Sequence, residues 1–417
     1  MVSYPGADNP PFRLSMLIYD RRYRSLTLQA IVFILVMLLA SWLINNTLQN
    51  LAALGKTLSF DFLFRRAGYD IPQQLIPYTA DDTHLRAAIV GLLNTLLVAI
   101  LGCVSATVVG VTVGVLRLSS NWLISRLMTV YVEVFRNIPL LLWILVILAI
   151  FTEVLPPPNA YRGENPAASM ILFDTIAPTN RYTAIPSLAM TNPPGVIPLG
   201  REGVSWAVVA FALAIAAALI GRHFLNARAQ RIQDATGQRP TTWWINLAML
   251  VAPVLALIWY YGLHLVRPEL KGFNFVGGLT LDNAFVVLWL ALTLYTGAFI
   301  AEIVRGGILA VSKGQSEAAF ALGLRPRRTM SLVILPQALR VIVPPLISQY
   351  LNLTKNSSLA IAVGYMDLRG TLGGTTLNQT GREMECMVLM MGIYLLLSLI
   401  ISGGMNVFNS SVKLKER

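Results

Sequence analysis

The sequence predicts an all-α integral membrane protein with about eight transmembrane helices. Of its 417 residues, 55% are hydrophobic and 12% are charged, whereas a soluble domain carries about 25% charged residues. The apolar residues form long runs with few charges, and a run of about 20 residues crosses the hydrocarbon core as a helix. A helix is favoured in these runs because it satisfies its own backbone hydrogen bonds inside the bilayer.

Eight apolar runs reach this length. About 25 residues precede the first run and no small-residue cleavage site follows it, so we expect a retained signal anchor. The chain then divides into an N-terminal part with the additional first span and an outer loop (1–86), a main transmembrane domain (87–408) and a tail (409–417). The predicted spans are Leu26–Leu43, Ala87–Leu116, Met128–Phe151, Val204–Ile220, Ile245–Leu265, Ala284–Ile303, Val341–Ala362 and Met387–Phe408.

The distribution of basic residues predicts the orientation. The segments that share a side with the two termini hold 19 Lys and Arg residues, whereas the longer opposite loops hold 11. Basic loops remain in the cytoplasm, so both termini are expected to be cytoplasmic. The net charge of +12 does not indicate a nucleic-acid partner, because the basic residues lie between apolar runs and form no single stripe.

Residues 152–283 are interpreted as an insertion. Its first part, 152–203, lies on the predicted outer side and contains nine prolines, which favours a semi-rigid, extended loop rather than a folded domain. The two spans that follow contain no membrane-buried charge, so we expect them to contribute bulk rather than chemistry. No internal repeat is evident, which gives an inverted-repeat transporter little support.

A polar stretch on the predicted cytoplasmic side, Gln315–Pro336, carries a helix pattern of its own. Ser316 is a suitable N-cap, and Glu317 lies in the first turn, where the helix dipole favours an anion. Gly323 supplies a C-terminal stop. The helix between them is thin because it contains the small residues Ala318, Ala319 and Ala321.

The residues after this helix are basic. Pro326 disfavours a helical conformation at Arg325 and therefore produces a bend, and a second short helix is expected to end at Leu335, before Pro336. Two interpretations remain open. The segment is either a basic loop that holds the next span in place or a docking helix that transmits force from a soluble partner. The bend carries Arg325, Arg327 and Arg328.

Charged residues inside predicted spans are expensive and face a cavity or a partner. Glu133 and Arg136 are three residues apart and close enough to pair on one helix face, as are Glu302 and Arg305. Both pairs lie near the cytoplasmic ends of their spans. We interpret them as structural contacts at the membrane interface.

Lys355 lies deeper, about 22 Å beyond Arg340 along a continuous helix. Pro344 and Pro345 are expected to break this helix. The surrounding polar cluster requires water, protein or a substrate as a partner, although a lysine that reaches the outer interface is an equally good interpretation. The cluster consists of Asn352, Thr354, Lys355, Asn356, Ser357 and Ser358.

Polar residues of two other spans are candidates for the same cavity. Their alternative role is hydrogen bonding between helices, which is common for hydroxyl side chains in membranes. The residues are Asn94 and Thr95 in the second span and Thr293, Tyr295 and Thr296 in the sixth.

The sequence contains no catalytic or metal-binding constellation. The three histidines lie far apart, and the two cysteines, Cys103 and Cys386, are too few for a disulfide framework. Gly55-Lys56-Thr57 is the nearest match to a phosphate-binding loop, but the required earlier glycine is replaced by Asn50. If ATP drives this protein, another chain must bind it.

Several of these residues resemble the signatures of ABC importer permeases. Glu317-Ala318-Ala319, Gly323 and Leu335-Pro336 stand at the spacing of the EAA signature of that family, with Val333 in place of the usual isoleucine. Residues 135–141, 297–307, 335–340 and 355–359 are similar to its polar amino acid uptake branch. The resemblance covers 87–152 and 284–408, and the larger layout resembles permeases of general L-amino acid and glutamate/glutamine/aspartate systems.

The resemblance implies a type I importer fold, with a five-span core formed by spans two, three, six, seven and eight. Glu317–Gly323 would be the coupling helix in a groove of a cytosolic ATPase, with Gly314 and Gln315 shaping its entry. The implied partners are a related, non-identical permease chain, two ATPase subunits that hold ATP and magnesium, and a periplasmic amino acid binding protein. The chain itself would be no enzyme, would bind no cofactor and would lie in the lipid of a bacterial inner membrane.

Two other functions are weighed against this one. A self-contained secondary transporter or channel needs ion-coupled charges within the membrane, for which Lys355 is the only candidate. A membrane enzyme is disfavoured by the lack of clustered His, Cys or paired carboxylates. The sequence does not identify the amino acid that is carried.

Overall fold

The computed structural model describes residues 21–53, 55, 57–163, 166–199, 202–238 and 240–412. The predicted N-terminus up to residue 20 and the tail residues 413–417 lie outside the described residues. The chain divides into two compact units, one ending at Phe62 and the other beginning at Leu63. The first unit contains helix α1, Arg21–Ala53. None of the 18 residues in the most apolar stretch of α1 is buried.

The second unit is mainly helical. Seven described helices of the chain are long and apolar enough to cross a bilayer, and one bent pair raises the number to 8 if it forms a single span. The prediction of about eight spans is thereby confirmed. The helices are α2 (His84–Leu116), α3 (Trp122–Asn137), α4 (Leu140–Ala149), α5 (Trp206–Thr236), α6 (Trp243–Tyr261), α7 (Asn283–Leu309), α8 (Lys313–Ala321), α9 (Pro326–Thr329), α10 (Leu335–Asn356), α11 (Leu368–Gly370), α12 (Leu377–Thr380) and α13 (Glu383–Val412).

The third predicted span is not a straight helix. Helices α3 and α4, the latter extended by a π-helical turn to Val154, meet at an angle of 107°. Ile138 is extended (φ −107°, ψ 133°) because it precedes Pro139, and the helical region is disfavoured there. Hydropathy alone does not reveal this break, since both halves are apolar.

Small residues allow α2 and α7 to pack closely. A methyl group on Gly110 would lie 2.5 Å from Cβ of Ile300 and 2.9 Å from the carbonyl oxygen of Gly297. One on Gly114 would lie 2.7 Å from the carbonyl oxygen of Ala301. Small residues at this spacing are the usual means by which membrane helices approach each other. Helix α7 is the centre of the core, with 72% of its apolar window buried.

Hydrogen bonds between side chains also join the core helices. Ser105 Oγ and Thr293 Oγ1 are 2.6 Å apart, and the indole nitrogen of Trp289 donates to Ser105 Oγ at 3.1 Å. Thr107 Oγ1 and the hydroxyl of Tyr350 are 2.8 Å apart, which joins α2 to α10. These bonds satisfy polar groups that have no water partner in a bilayer.

The proline-rich segment before α5 is more ordered than predicted. It forms four small antiparallel sheets together with the segment after α6, so the expectation of a mostly extended loop is wrong. A hydrophobic cluster packs against one face of the three-stranded sheet and stabilises it. Its buried members are Ala177, Ala184 and Phe275. The sheets pair β1 (Ala177–Pro178) with β2 (Tyr182–Ile185) and β9 (Leu279–Asp282), β3 (Ser187–Met190) with β6 (Leu263–Val266), β4 (Val196–Leu199) with β5 (Glu202–Ser205), and β7 (Glu269–Lys271) with β8 (Asn274–Val276).

Helices α5 and α6 form the two-span hairpin of the insertion. Their apolar windows are 6% and 0% buried. Helix α5 ends at Gly237, which adopts a left-handed conformation with φ of +72°. The hairpin therefore offers most of its apolar surface to lipid or to other chains.

Two predicted helix ends in the stretch from α9 to α10 are wrong. Pro336 does not follow a helix end, because α9 continues through a π-helical turn, Met330–Ile334, directly into α10, where it lies near the start. Pro344 and Pro345 do not break α10 either. Membrane helices tolerate proline because neighbouring helices and local changes in helical pitch satisfy the freed carbonyl groups.

Candidate functional site

The candidate coupling helix is α8, Lys313–Ala321. It begins four residues earlier than predicted, because Ser312 rather than Ser316 has the extended backbone of an N-cap. Gly314 and Gln315 are therefore part of the helix and do not precede it. The amide of Gln315 donates to the carbonyl of Ser312 at 3.1 Å, which closes the first turn.

Gly323 ends this helix in the way that the sequence predicts. Its φ is +74°, a conformation that costs other L-residues roughly 1 kcal/mol or more. The amide of Gly323 donates to Phe320 at 2.9 Å and that of Leu324 donates to Ala319 at 3.1 Å. These two bonds form a Schellman motif, which satisfies the last carbonyl groups of the helix.

Helix α8 exposes most of its surface. Ala319 is 3% exposed and faces the protein, whereas Glu317 and Ala318 are exposed. Two large apolar side chains beside the alanines were missed by the sequence argument, which considered only the thinness of the helix. They are Phe320, 50% exposed, and Leu322, 82% exposed.

A side-chain hydrogen bond ties α8 to the next span. The side-chain amide of Gln337 donates to Oε1 of Gln315 at 3.2 Å. Leu335 and Pro336 form the first turn of α10, directly before Gln337. The signature residues on both sides of the basic bend thus lie together, at the start of α10.

Asn94 and Thr95 lie side by side on α2 and are buried. The Asn94 side-chain amide donates to the carbonyl groups of Gln73 at 2.8 Å and Met366 at 2.9 Å, while its own side-chain oxygen has no hydrogen-bond partner among the described residues. Thr95 Oγ1 accepts from the amide of Leu368 at 3.0 Å. Both residues therefore hold the turn around Met366 against α2, and their predicted role in a substrate path stays a prediction.

The polar cluster around Lys355 has two faces. Thr354 and Ser357 are buried, and their hydroxyls donate to backbone carbonyl groups of their own helical segment at 2.9 and 2.7 Å. Asn352 and Lys355 are exposed, and Asn356 is partly buried. Thr296, on α7, is 3% exposed. The candidates available to a solute are Asn352, Lys355 and Asn356.

Lys355 occupies the last turn of α10, which ends at Asn356 before a 3-10 segment. The carbonyl groups at a helix C-terminus carry partial negative charge and stabilise a cation. The position of Lys355 is therefore compatible both with a structural role at the helix C-terminus and with a role in binding the substrate.

Comparison with known proteins identifies the family. Residues 106–413 match the family described as "Binding-protein-dependent transport system inner membrane component". The chain belongs to this family. It is a transport component of the inner membrane with several membrane spans.

Three relatives share almost the whole layout, including the insertion. The glutamate/glutamine/aspartate/asparagine transport system permease protein BztB of Rhodobacter capsulatus is 59% identical over 99% of both chains. The general L-amino acid transport system permease protein AapQ of Rhizobium johnstonii is 44% identical over 97% of this chain and 96% of its own. A putative amino-acid ABC transporter permease, YhdX of Escherichia coli, is 43% identical over 94% and 95%. The predicted resemblance is confirmed.

This permease contains a buried carboxyl group that the sequence argument did not consider. Asp367 is 0% exposed and accepts hydrogen bonds from the amide of Gly370 at 2.8 Å and the hydroxyl of Tyr394 at 3.3 Å. Burial raises the pKa of its carboxyl group from 3.8 to about 7. The sequence indicated this buried carboxyl group only by placing one Asp between two apolar spans.

The two predicted charge pairs are connected differently from the expectation. Glu302 binds Arg305 at 2.7 Å, as predicted, but it also binds Arg117 and lies 3.7 Å from Arg136. Glu133 does not pair with Arg136. Its carboxylate instead accepts from the side-chain amide of Asn137 at 3.4 Å. The partner from α2 could not be found by spacing, because it is 185 residues distant.

Proposed function

We propose that this chain is the transmembrane subunit of an ATP-driven importer for polar L-amino acids, coupled to a cytosolic ATPase through residues 316–336. The observation that carries the proposal is the exposed surface of α8, where Phe320 and Leu322 flank a thin alanine helix. Apolar side chains this exposed on a polar loop mark a protein interface.

The proposed assembly contains further subunits that would bind ATP, complete the pathway and deliver the solute. ATP and magnesium would be held by two ATPase subunits, so this chain needs no cofactor. A related permease chain would complete the pathway, and a periplasmic binding protein would deliver the solute to the outer loops. Both termini would lie in the cytoplasm, as the 19 basic residues on that side indicate.

Helix α8 would transmit the movement of the ATPase. The Gln315–Gln337 bond and the direct passage of α9 into α10 connect it to the span that carries Lys355. Tilting of α8 would therefore shift the inner end of α10. This is the physical basis on which closure of the ATPases would open the pathway outwards.

The substrate is proposed to be an amino acid with a second carboxyl or amide group. Lys355 and Asn352 are exposed on one face of α10, where an ammonium and an amide can bind a carboxylate. The names of the BztB and AapQ relatives refer to glutamate, glutamine, aspartate, asparagine and general L-amino acids.

The coupling proposal is tested with two matched glycines. Gly323 and Gly237 both end a helix with positive φ, +74° and +72°, and a Cβ atom added at either would meet no atom within 4 Å. The folding strain of Gly323→Leu and Gly237→Leu is therefore similar. We expect Gly323→Leu to reduce ATP-driven uptake into proteoliposomes at least tenfold, and Gly237→Leu to leave it near the wild-type rate.

Glu317→Trp provides a second test at an exposed position of the same helix. ATP hydrolysis that continues while uptake stops would show uncoupling. Normal uptake in both Gly323→Leu and Glu317→Trp would refute the proposal. Uptake by the purified chain alone, driven by an ion gradient, would favour a secondary transporter instead.

A further inference from the structure

Three arginines converge on one glutamate at the end of α7 that leads into α8. Glu302 Oε1 binds Arg305 at 2.7 Å, and Glu302 Oε2 binds Arg117 and lies 3.7 Å from Arg136. The four residues come from α7, from the end of α2 and from α3. We call them the arginine cluster.

The arginine cluster carries more positive charge than its carboxylate can balance. Three guanidinium groups share one carboxylate, which leaves an excess of two positive charges. The side chain of Arg117 is 7% exposed, and its Nε, like that of Arg305, has no hydrogen-bond partner within the described part of the chain. A buried guanidinium with an unused donor is costly in a low-dielectric environment.

The neighbouring acidic residue does not remove this excess. Glu133 lies one turn before Arg136 but is exposed and bonded to Asn137, and no ion pair joins it to an arginine among the described residues. The guanidinium of Arg136 lies instead 5.4 Å from the ring centre of Phe299. Arg136 and Arg305 remain 35% and 33% exposed, so their outer edges are accessible.

The arginine cluster lies near one end of a helix that is long and apolar enough to span a membrane. Glu302 lies about 10 Å before the end of α7, and α3, which carries Arg136, exposes the apolar residues Val130 and Val134 at 50% and 40%. An anion that reaches this place must therefore be compatible with a lipid surface. Basic pockets between transmembrane helices on the cytoplasmic side bind acidic lipid head groups.

We propose that the arginine cluster binds the phosphate of an anionic phospholipid. The outer edges of Arg136 and Arg305 would hold the phosphate, and Glu302 would keep the guanidinium groups in place. The acyl chains would lie along the apolar side of α3. The cytoplasmic leaflet is assigned from the orientation given under the proposed function, whereas the binding chemistry does not depend on it.

The test counts lipids on the purified full-length chain by native mass spectrometry. The protein in neutral detergent is mixed with phosphatidylglycerol or with phosphatidylcholine. We expect wild type to retain one phosphatidylglycerol in preference to phosphatidylcholine, and Arg136→Gln to weaken this binding about fivefold. Arg136→Lys should retain it within about twofold, because the positive charge is kept.

Arg126→Gln is the matched control. Arg126 lies on the same helix, is exposed and is outside the cluster, so its loss should leave the preferred lipid in place. Equal retention in Arg136→Gln, Arg126→Gln and wild type would overturn the proposal.

Two further outcomes would also overturn it. Displacement of the lipid by inorganic phosphate would show a site for a soluble anion. Loss of the second permease chain from lipid-free Arg136→Gln would show that a carboxylate of that chain occupies the cluster. Neither result affects the Gly323 test, because lipid counting requires neither ATP nor uptake.

Discussion

The core pair α2 and α7 and the hairpin α5 and α6 are all apolar enough to span a bilayer but differ in how much of them is buried. The most apolar stretches of α2 and α7 are 33% and 72% buried, whereas those of α5 and α6 are 6% and 0% buried. Helices α2 and α7 meet through glycines that leave no room for a methyl group, and side-chain hydrogen bonds join Ser105 of α2 to Thr293 and Trp289 of α7.

The difference shows where the sequence is constrained. In the core, neighbouring residues fix most positions of α7. The core helices in turn hold α8, Lys355 and the arginine cluster in place. In the hairpin, Asn246 bonds to Asn226 at 3.1 Å, but most side chains point away from the rest of the chain. Equivalent substitutions in the two regions should therefore have unequal effects.

Replacing leucine with alanine should give the largest difference in stability between the core and the hairpin. Leu288 of α7 is 0% exposed and Leu255 of α6 is 56% exposed. Leu288→Ala leaves a cavity and should lower the free energy of unfolding by about 2–5 kcal/mol, whereas Leu255→Ala should lower it by less than about 1 kcal/mol. Thermal unfolding in detergent measures both, and equal losses would contradict the comparison.

Glycine-to-alanine substitutions should give the next largest difference. At Gly110 the new methyl group meets Cβ of Ile300 and a backbone carbonyl, so the helices must separate, at a cost of about 1–3 kcal/mol. At Gly221 it meets the terminal methyl group of Met249 at 2.1 Å, which can rotate away. Gly110→Ala should reduce membrane yield and thermal stability, with Gly221→Ala close to wild type.

The buried carboxyl group predicts a pH effect. The pKa of Asp367 is raised from 3.8 to about 7. Between these two pH values the folded protein holds a proton on Asp367 that the unfolded chain has released. The stability that this provides is complete below about pH 4 and is lost as the pH rises through about 7, by at most about 1.4 kcal/mol per pH unit.

Asp367→Asn should remove this pH dependence and unfold at a higher temperature than wild type at pH 8, because asparagine resembles the neutral carboxyl group and remains a good N-cap. Asp234→Asn, at an exposed position of the hairpin, is the control and should leave the profile unchanged. A wild-type profile that is flat between pH 4 and 7 would show that Asp367 stays ionised.

Lys355→Met should have the smallest effect on stability and act on transport instead. If Lys355 binds the substrate carboxylate, uptake falls about tenfold, equivalent to about 1.4 kcal/mol, while assembly with the ATPase is unchanged. Lys271→Met, on strand β7, where the lysine pairs with Glu269 at 3.5 Å, is the control. Unchanged uptake would assign Lys355 to the helix C-terminus alone.

Local patterns of the sequence were sufficient for the spans and for Gly323, because hydropathy and the left-handed helix end depend on neighbouring residues. Local patterns could not predict contacts or burial that depend on residues far apart in the sequence. Arg117 pairs with Glu302 across 185 residues, and Asp367 is buried by α2 and α13. The proline positions failed for another reason: Pro139 breaks a helix and Pro344 does not, although local rules treat the two alike.

The stretch Pro326–Val363 contains 38 residues and no glycine, and it is helical throughout. It ends at Gly364, whose φ is +75°. A straight α-helix of this length would measure about 57 Å, more than the thickness of a membrane. The π-helical turn at Met330–Ile334 and the 3-10 stretch at Ser357–Val363 change its pitch but leave no non-helical residue along it. A displacement applied beside Gln337 thus reaches Lys355 as the motion of a lever, with little of it absorbed on the way.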